Sequence, residues 1–567
     1  MTAGVLFYSL PIQSIILHAL LVYGLYAISL LCLQSIHPTP HFIKNIFFSI
    51  LSLLLLVLYA VNALANHFWG GNVSISFVKL YVSQLDELLA ELPYASVALT
   101  LLLLALWLGC WLIYKLPFAR VLNTYSPITI KNASFPLLII LITGSFFYLT
   151  FNVKTPLFWE GEPISNLALI HTPVSFTALA NLNNSTNSHN HINNSIKTNN
   201  QANIILIHAD ALRADHMSAY GYKRETTPYL NSMLASGGHK INLGLSICSE
   251  SICGMLAALG SNEVQKQYLD LPLLPSILKD HGYKTYLFGS GNFSWEGIDK
   301  IISPGFDTFV RADMEPDYSI HDDYMILDGL SKLPSNMETP SFFFLRYMSS
   351  HQVGKHFSKY EKYQPNKKNL FSYIFPELEQ DTAINNYDNG ILQFDDLLKK
   401  SLNILESKGY LSNSIIVLYG DHGDAFGEHG YFGHYKNLYQ EEIHVPIIFL
   451  GFNDSILSEK DFATIMDIAP TILNRVNIKI PESFDGVSLL KSLGDRITFH
   501  NSKRGVYAIV QYSKSHSYKL IYNTKQGNLA LTFDLKKDPN ELTDITNDID
   551  PSIVMGLKKQ LIEHFQL

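Results

Sequence analysis

Residues 203–216 read NIILIHADALRADH. Four aliphatic residues in a row, Ile204 to Ile207, follow a polar tract and run into Asp210, Arg213 and His216. A short apolar run bounded by polar residues has the pattern of a strand buried on both faces. Similar runs recur at Thr285–Phe288, Phe342–Tyr347, Ile415–Tyr419 and Pro446–Leu450. Helix-like segments lie between them at Pro228–Ala235, Leu274–Asp280, Asn385–Leu405 and Asp467–Arg475. Strands alternating with helices predict an α/β domain, with a mostly parallel sheet covered by helices on both faces.

Upstream the solvent class changes. The chain has 567 residues, 41 Lys plus Arg and 49 Asp plus Glu, yet only eight of these charges fall in the first 150 residues. They are Lys44, Lys79, Asp86, Glu87, Glu91, Lys115, Arg120 and Lys131. Apolar stretches near Ile12–Leu33, Ile46–Asn66, Ala95–Tyr114 and Phe135–Phe151 match the ~20 residues a membrane-spanning helix needs. Residues 1–152 are therefore expected to form an α-helical transmembrane bundle of four spans. No Lys or Arg precedes the first stretch and no small-residue cleavage site follows it, which is not the pattern of a cleaved signal peptide. Ser74 to Leu92 carries Phe77, Leu80, Tyr81, Leu85, Leu88 and Leu89 at helical spacing and reads as an interfacial helix. Lys44, Lys115, Arg120 and Lys131 mark the cytoplasmic loops, which puts the N-terminus and everything after residue 152 on the outer side.

Residues 153–201 form a linker. Its end, ALANLNNSTNSHNHINNSIKTNNQ over 178–201, has almost nothing to bury. The soluble domain then spans 202–567. A net charge of −8 without a basic run argues against a nucleic-acid partner, and 47% apolar residues argue against a disordered chain.

Two clusters at strand ends carry chemistry. Asp210 follows the first strand, and Gly420-Asp421-His422-Gly423-Asp424 follows the fourth. In open α/β sheets that carboxyl edge is where ligands bind. Asp210, Asp421 and His422 supply three ligands, and a hydroxyl would complete a tetrahedral, zinc-like set. Asp and Gly also make ordinary turns there, but Gly427-Glu428-His429-Gly430 and His434 follow closely.

The stretches ADALRADHMSAYGYKRETTPYL (209–230), GDHGDAFGEHGYFGH (420–434) and MDIAPTIL (466–473) resemble the alkaline-phosphatase/sulfatase superfamily. With the apolar N-terminal region and the tether, the layout resembles the membrane-bound phosphoethanolamine and phosphoglycerol transferases of bacterial envelopes. Tyr387-Asp388-Asn389, His444-Val445-Pro446 and FDLKKDPNELTDI (533–545) support the match. The resemblance implies a sulfatase-like fold with a small C-terminal β subdomain and a bound Zn2+ (or Mn2+ or Mg2+) held by Asp210, Asp421 and His422. It implies phosphate-contacting roles for His434 and His351. Asn292 is a further substrate-side candidate or a plain turn residue, and His216, His356 and His429 are substrate-side candidates or structural residues.

The nucleophile loop departs from both families. Residues 246–254 read SICSESICG, where the transferases use a Thr and sulfatases use a Cys or Ser within Cys/Ser-x-Pro-x-Arg that is converted to formylglycine. Neither that Pro nor that Arg is present. Laid without gaps, Cys248 takes the nucleophile position. Outside the cytoplasm, however, Cys248 and Cys253 would be the only cysteines, since Cys32 and Cys110 fall in the apolar stretches, and such thiols tend to pair. Ser251, with Ser249 and Cys248 behind it, becomes the candidate nucleophile, and Ser251 is also a candidate metal ligand.

The implied activity moves a phospholipid head group, phosphoethanolamine or phosphoglycerol, to an envelope lipid or glycan through a covalent phospho-enzyme. The expected location is the bacterial inner membrane, with the catalytic domain periplasmic. The competing readings are a membrane-tethered sulfatase or phosphodiesterase, and a non-catalytic sulfatase-like envelope protein.

Overall fold

The computed structural model describes residues 201–567, apart from 267–270, 295–296, 316, 336–338, 367–378, 453, 503–504 and 525–526. It also describes Ile50, Leu54 and Leu108, which are helical and exposed. Apart from those three residues and Gln201, the four apolar stretches, the interfacial-helix segment and the Asn-rich tract lie outside the described residues. Among the described residues no helix is long and apolar enough to cross a membrane. The chain divides into two units, Met1–Val174 and Ser175–Leu567.

In the second unit the strands are, in chain order, β1 (Asn203–Ala209), β2 (His239–Lys240), β3 (Leu243–Leu245), β4 (Lys284–Gly289), β5 (Thr308–Arg311), β6 (Ser341–Tyr347), β7 (Ser414–Gly420), β8 (Ala425–Phe426), β9 (Phe432–Gly433), β10 (Ile447–Leu450), β11 (Phe462–Thr464), β12 (Arg496–Asn501), β13 (Val506–Tyr512), β14 (Ser517–Asn523) and β15 (Leu529–Asp534). The central sheet has the order β2-β10-β7-β1-β6-β4-β5. β7, β1, β6, β4 and β5 run parallel, while β10 pairs antiparallel with both β7 and β2. The sheet is thus mixed. The apolar run at 446–450 shows burial but not strand direction, because direction depends on where the connection returns the chain.

Alternating side chains divide the strands between two cores. On β1, Ile204 and Leu206 enter one core, and Ile205 and Ile207 the other. β6 divides in the same way, with Phe342 and Phe344 opposite Phe343 and Leu345. On β7, Ile415 and Val417 oppose Ile416 and Leu418. The first core is closed by the helix Ser251–Gly260, through Ile252, Met255 and Leu256, and by the helix Ile468–Arg475. The second is closed by the helix Gln380–Ser407, through Ile391, Phe394 and Leu398. That helix starts five residues before the sequence reading placed it. Its first turn is polar, so apolar periodicity is silent there.

The C-terminal subdomain is an antiparallel meander, β12-β13-β14-β15. One face receives Leu557 and Leu561 of the helix Pro551–Phe565 against Ile509, Leu520 and Tyr522. Its other face packs on Leu245, Leu438 and Ile443 of the α/β layer. The Pro551 helix is started by the Asp550 carboxylate, which accepts from Ser552 N at 2.9 Å.

Candidate active site

β1 and β7 are neighbours in register, with Ala209 opposite Gly420. Asp210 and Asp421 therefore leave the sheet side by side although 211 residues separate them in sequence. Side-chain alternation also puts His208 and Asp210 on the face of Ile204 and Leu206, and Arg346 on the face of Phe342 and Phe344. All point toward the layer that holds the Ser251 helix.

Each carboxylate has one oxygen already engaged. Asp421 Oδ1 accepts from Ala211 N and His422 N, both at 2.9 Å. Asp210 Oδ2 pairs with Arg346 Nη2 at 2.6 Å. The other oxygens face inward. Asp210 Oδ1 lies 3.2 Å from Ser251 Oγ and 3.8 Å from His422 Nε2, and Asp421 Oδ2 lies 3.8 Å from the same nitrogen. His422 Nδ1 lies 2.8 Å from the Gly423 carbonyl, to which it donates, so Nε2 is the ring atom turned to Ser251 Oγ, 3.0 Å away. Burial would raise the Asp210 carboxyl's pKa, but the Arg346 guanidinium and the surrounding histidines hold it far below the usual range. Burial pulls the His422 pKa down, and the Asp421 and Asp210 carboxylates more than reverse this.

Ser251 opens the helix Ser251–Gly260, where backbone N–H groups are free to meet an anion. Behind it Cys248 and Cys253 form a disulfide, so neither sulfur is a free thiol. Ser249 is buried, its carbonyl accepting from Tyr435 N at 3.0 Å. Of the three nucleophile candidates, only Ser251 meets both Asp210 and His422.

Two more histidines border this cluster. His434 Nδ1 lies 3.0 Å from Asp424 Oδ1, and its ring centre is 4.4 Å from that of His422 and 5.3 Å from that of His351. His351 Nε2 lies 3.9 Å from Asp210 Oδ1, and burial lowers its pKa to about 4 despite that carboxylate. The loop carrying His351 is held by buried Asp323, which accepts from Met348 N and Ser349 N at 2.8 Å and from the hydroxyls of Ser290 and Ser349.

The other candidates have structural partners. His216 pairs with Asp388 at 2.8 Å, His356 bonds the Ser349 carbonyl at 2.8 Å, and His429 pairs with Glu441 at 2.8 Å. Asn292 Oδ1 accepts from Ser294 N at 2.8 Å, a turn contact. Sequence reading missed His208, Arg346, Asp323 and the link from Asp424 to His434. For the first two a signal existed: each is an ionisable residue near the end of an otherwise apolar strand.

Two carboxylates buried side by side repel each other unless a cation lies between them. Asp421 Oδ2 is fully buried and, among the described residues, accepts no aligned hydrogen bond. With Asp210 Oδ1, His422 Nε2 and Ser251 Oγ it makes a donor set that fits a divalent ion.

A family model described as Sulfatase matches residues 202–478. Residues 202–478 are a sulfatase domain of the alkaline-phosphatase/sulfatase superfamily. A second model, described as the C-terminal region of N-sulphoglucosamine sulphohydrolase, matches 427–566. N-acetylglucosamine-6-O-sulfatase of Bacteroides thetaiotaomicron is 27% identical over 225 residues, 37% of this chain and 39% of that one. The chain spans about a third of the length of the curated relatives it matches. Among solved structures, a 2-O GAG sulfatase superposes with a TM-score of 0.50 at 18% identity, covering 64% of this chain and 92% of that one. The periplasmic domain of phosphoethanolamine transferase EptC from Campylobacter jejuni gives 0.42 at 18% identity, covering 52% and 94%. These likenesses concern the fold. Within this sulfatase domain Ser251 is followed by Ile252, Cys253, Gly254 and Met255, so no formylglycine motif surrounds it.

Proposed function

We propose that the chain is a membrane-anchored, metal-dependent transferase of the sulfatase superfamily. It moves a phospholipid head group, phosphoethanolamine or phosphoglycerol, to a lipid or glycan of the bacterial envelope. The observation that carries this reading is the Ser251 hydroxyl, outside any formylglycine motif, 3.0 Å from His422 Nε2 and 3.2 Å from Asp210 Oδ1, beside a locked Cys248–Cys253 pair. Four long apolar stretches in residues 1–152 would keep such a site beside its lipid donor, on the periplasmic side of the inner membrane.

Asp210, Asp421, His422 and the Ser251 oxygen would hold a divalent ion, zinc first, manganese or magnesium otherwise. When bound, the ion lowers the hydroxyl's pKa and polarises a phosphoryl oxygen. Ser251 Oγ, its proton released to solvent, attacks phosphorus and forms an O–P bond as the bond from phosphorus to the diacylglycerol oxygen breaks. His434, oriented by Asp424, gives the departing oxygen its proton. The acceptor hydroxyl then returns a proton to His434 and takes the head group from Ser251, which restores the enzyme. The helix N-terminus faces the phosphoryl charge throughout.

A labelled-phosphatidylethanolamine exchange assay with an envelope lipid acceptor tests this reading, with mass spectrometry of envelope lipids from cells with and without the gene. A gain of one head-group mass on the acceptor is expected. Release of free head group to water alone would favour a second reading, a membrane-tethered hydrolase. That reading draws support from the curated relatives, which are sulfatases, and from the sulphohydrolase match at 427–566.

A further inference from the structure

His208 is fully buried within β1, two residues before Asp210 and on the same face of the sheet. It is stacked on Tyr419, ring centres 5.0 Å apart, and lies 5.8 Å from Phe344. Among the described residues neither of its ring nitrogens makes an aligned hydrogen bond. Its Nε2 is 3.0 Å from Asp421 Oδ2, a separation of hydrogen-bond length without hydrogen-bond alignment, and that oxygen likewise accepts no aligned hydrogen bond. Leaving two buried polar groups without an aligned hydrogen bond is costly, and proteins rarely do so without another group to satisfy them. A nitrogen and an oxygen at this distance, both buried and unaligned with each other, have the spacing of two ligands on one cation. Ligand atoms of His208, Asp210 and Asp421 all lie within 4.8 Å of one another.

The oxygen supply points the same way. Arg346 holds one oxygen of Asp210, and two backbone N–H groups hold one oxygen of Asp421. Each carboxylate therefore has one oxygen left. With the Ser251 hydroxyl that makes three protein oxygens, far short of the six to eight that calcium takes. We infer that His208 is a direct metal ligand, and that two carboxylates, two imidazoles and a hydroxyl select a zinc-class ion over calcium or magnesium. The inference rests on the metal-dependent reading above and adds to it a ligand and a selectivity. Imidazole favours borderline transition ions, whereas magnesium and calcium prefer oxygen.

The test uses the full chain in detergent, stripped with a chelator and titrated with Co2+, Zn2+, Mg2+ and Ca2+, alongside His208→Gln and His208→Phe. Loss of a ligand should change the visible Co2+ absorption and weaken Zn2+ binding by about 100-fold or more, beyond the 10–100-fold typical of an outer-shell partner. Binding of Mg2+ and Ca2+ should move by less than about threefold, so the preference for zinc narrows. An unchanged Co2+ spectrum in a folded variant overturns the inference. Should both variants fail to fold, X-ray absorption of the zinc-loaded wild type decides: two imidazole ligands are expected, and one overturns the proposal. A wild type that binds neither Co2+ nor Zn2+ sinks the metal reading along with it. A His208-dependent Co2+ spectrum in a protein that transfers no head group leaves the ligand standing and removes the transferase reading.

Discussion

Gly254 lies directly against Asp421: a Cβ built on it would sit 2.5 Å from the Asp421 carbonyl oxygen and 2.7 Å from its Cβ. Only a residue without a side chain lets the first turn of the Ser251 helix come this close to the β7 strand end. That approach brings Ser251 Oγ to Asp210 and His422. Gly254→Ala should force the helix away, costing about 1–3 kcal/mol of stability. Because a shift of about 1 Å can cost on the order of 10²-fold in rate, turnover should fall more than stability suggests. Urea unfolding and a turnover assay on the same preparation check both. A fully active Ala variant would show that the contact does not position Ser251.

Ser251 and Ser249 are separated by two positions and by very different surroundings. Ser251→Ala should abolish the covalent phospho-enzyme and lower turnover by about 10⁴-fold or more, the scale seen when a nucleophile is removed. Ser249→Ala should instead act on stability, because it removes a buried hydroxyl from beside the buried Glu442 carboxyl. A cost of about 1–3 kcal/mol is expected, with much of the activity kept. Trapping the labelled intermediate in each variant separates the two, and label on a Ser251→Ala protein would move the nucleophile elsewhere.

Removing the metal should remove the function while leaving the sheet intact. Chelation should stop turnover, and zinc should restore it. Zinc at about one hundred times its Kd should add about 2.7 kcal/mol to the stability of the wild type. Asp421→Asn should lose that increment, since its inward oxygen would no longer carry charge. Thermal unfolding with and without zinc measures the difference, and equal shifts in the two proteins would place the ion elsewhere.

Asp424 touches the reacting groups only through His434, from which it is 3.0 Å distant. Asp424→Asn should leave His434 present but poorly oriented. Turnover should drop by about 10–100-fold, with metal affinity little changed. Steady-state kinetics and a metal titration on one sample test this. Equal losses in Asp424→Asn and Asp421→Asn, with metal gone from both, would make Asp424 part of the ion site instead.

His429 makes stability depend on pH. Burial alone would pull its pKa down, but the Glu441 hydrogen bond and charge raise it to about 9 from the ordinary 6.5. The folded protein therefore keeps a proton that the unfolded chain releases above about 6.5. Its stabilisation is full below that pH and is lost as pH rises through about 9. The melting temperature should fall across this window, and His429→Gln should flatten the decline. Parallel curves for wild type and variant would assign the pH dependence to other groups.

Much of the architecture follows from residue order alone. A buried parallel strand needs an unbroken apolar run, so β1, β4, β6 and β7 stand out in the sequence, as do the helices at 228–235 and 274–280. The same logic marks Asp210, Asp421 and His422, because charged residues directly after such runs must sit at the sheet's carboxyl edge. The expectation that residues 1–152 span a membrane likewise rests on composition alone, since ~20 apolar residues without charge have few other uses.

What residue order leaves open is anything that depends on which strands become neighbours. The register of β1 on β7 joins Asp210 to Asp421 across 211 positions. The β1–β6 pairing brings Arg346 up to Asp210, and β10 reverses direction within an otherwise parallel run. Among Cys248, Ser249 and Ser251, the expected Cys248–Cys253 pairing already puts Ser251 first in sequence, but the surroundings that justify this order are not local. The ranking comes from burial, from the Cys248–Cys253 bond and from the close passage of Gly254 over Asp421. His208 shows the same division. In sequence it is one polar residue in an apolar strand; in the folded chain it is a buried imidazole 3.0 Å from a buried carboxylate oxygen, with no aligned hydrogen bond between them. Side-chain chemistry is local, but the electrostatic surroundings that give it a use are assembled from residues far apart in the chain.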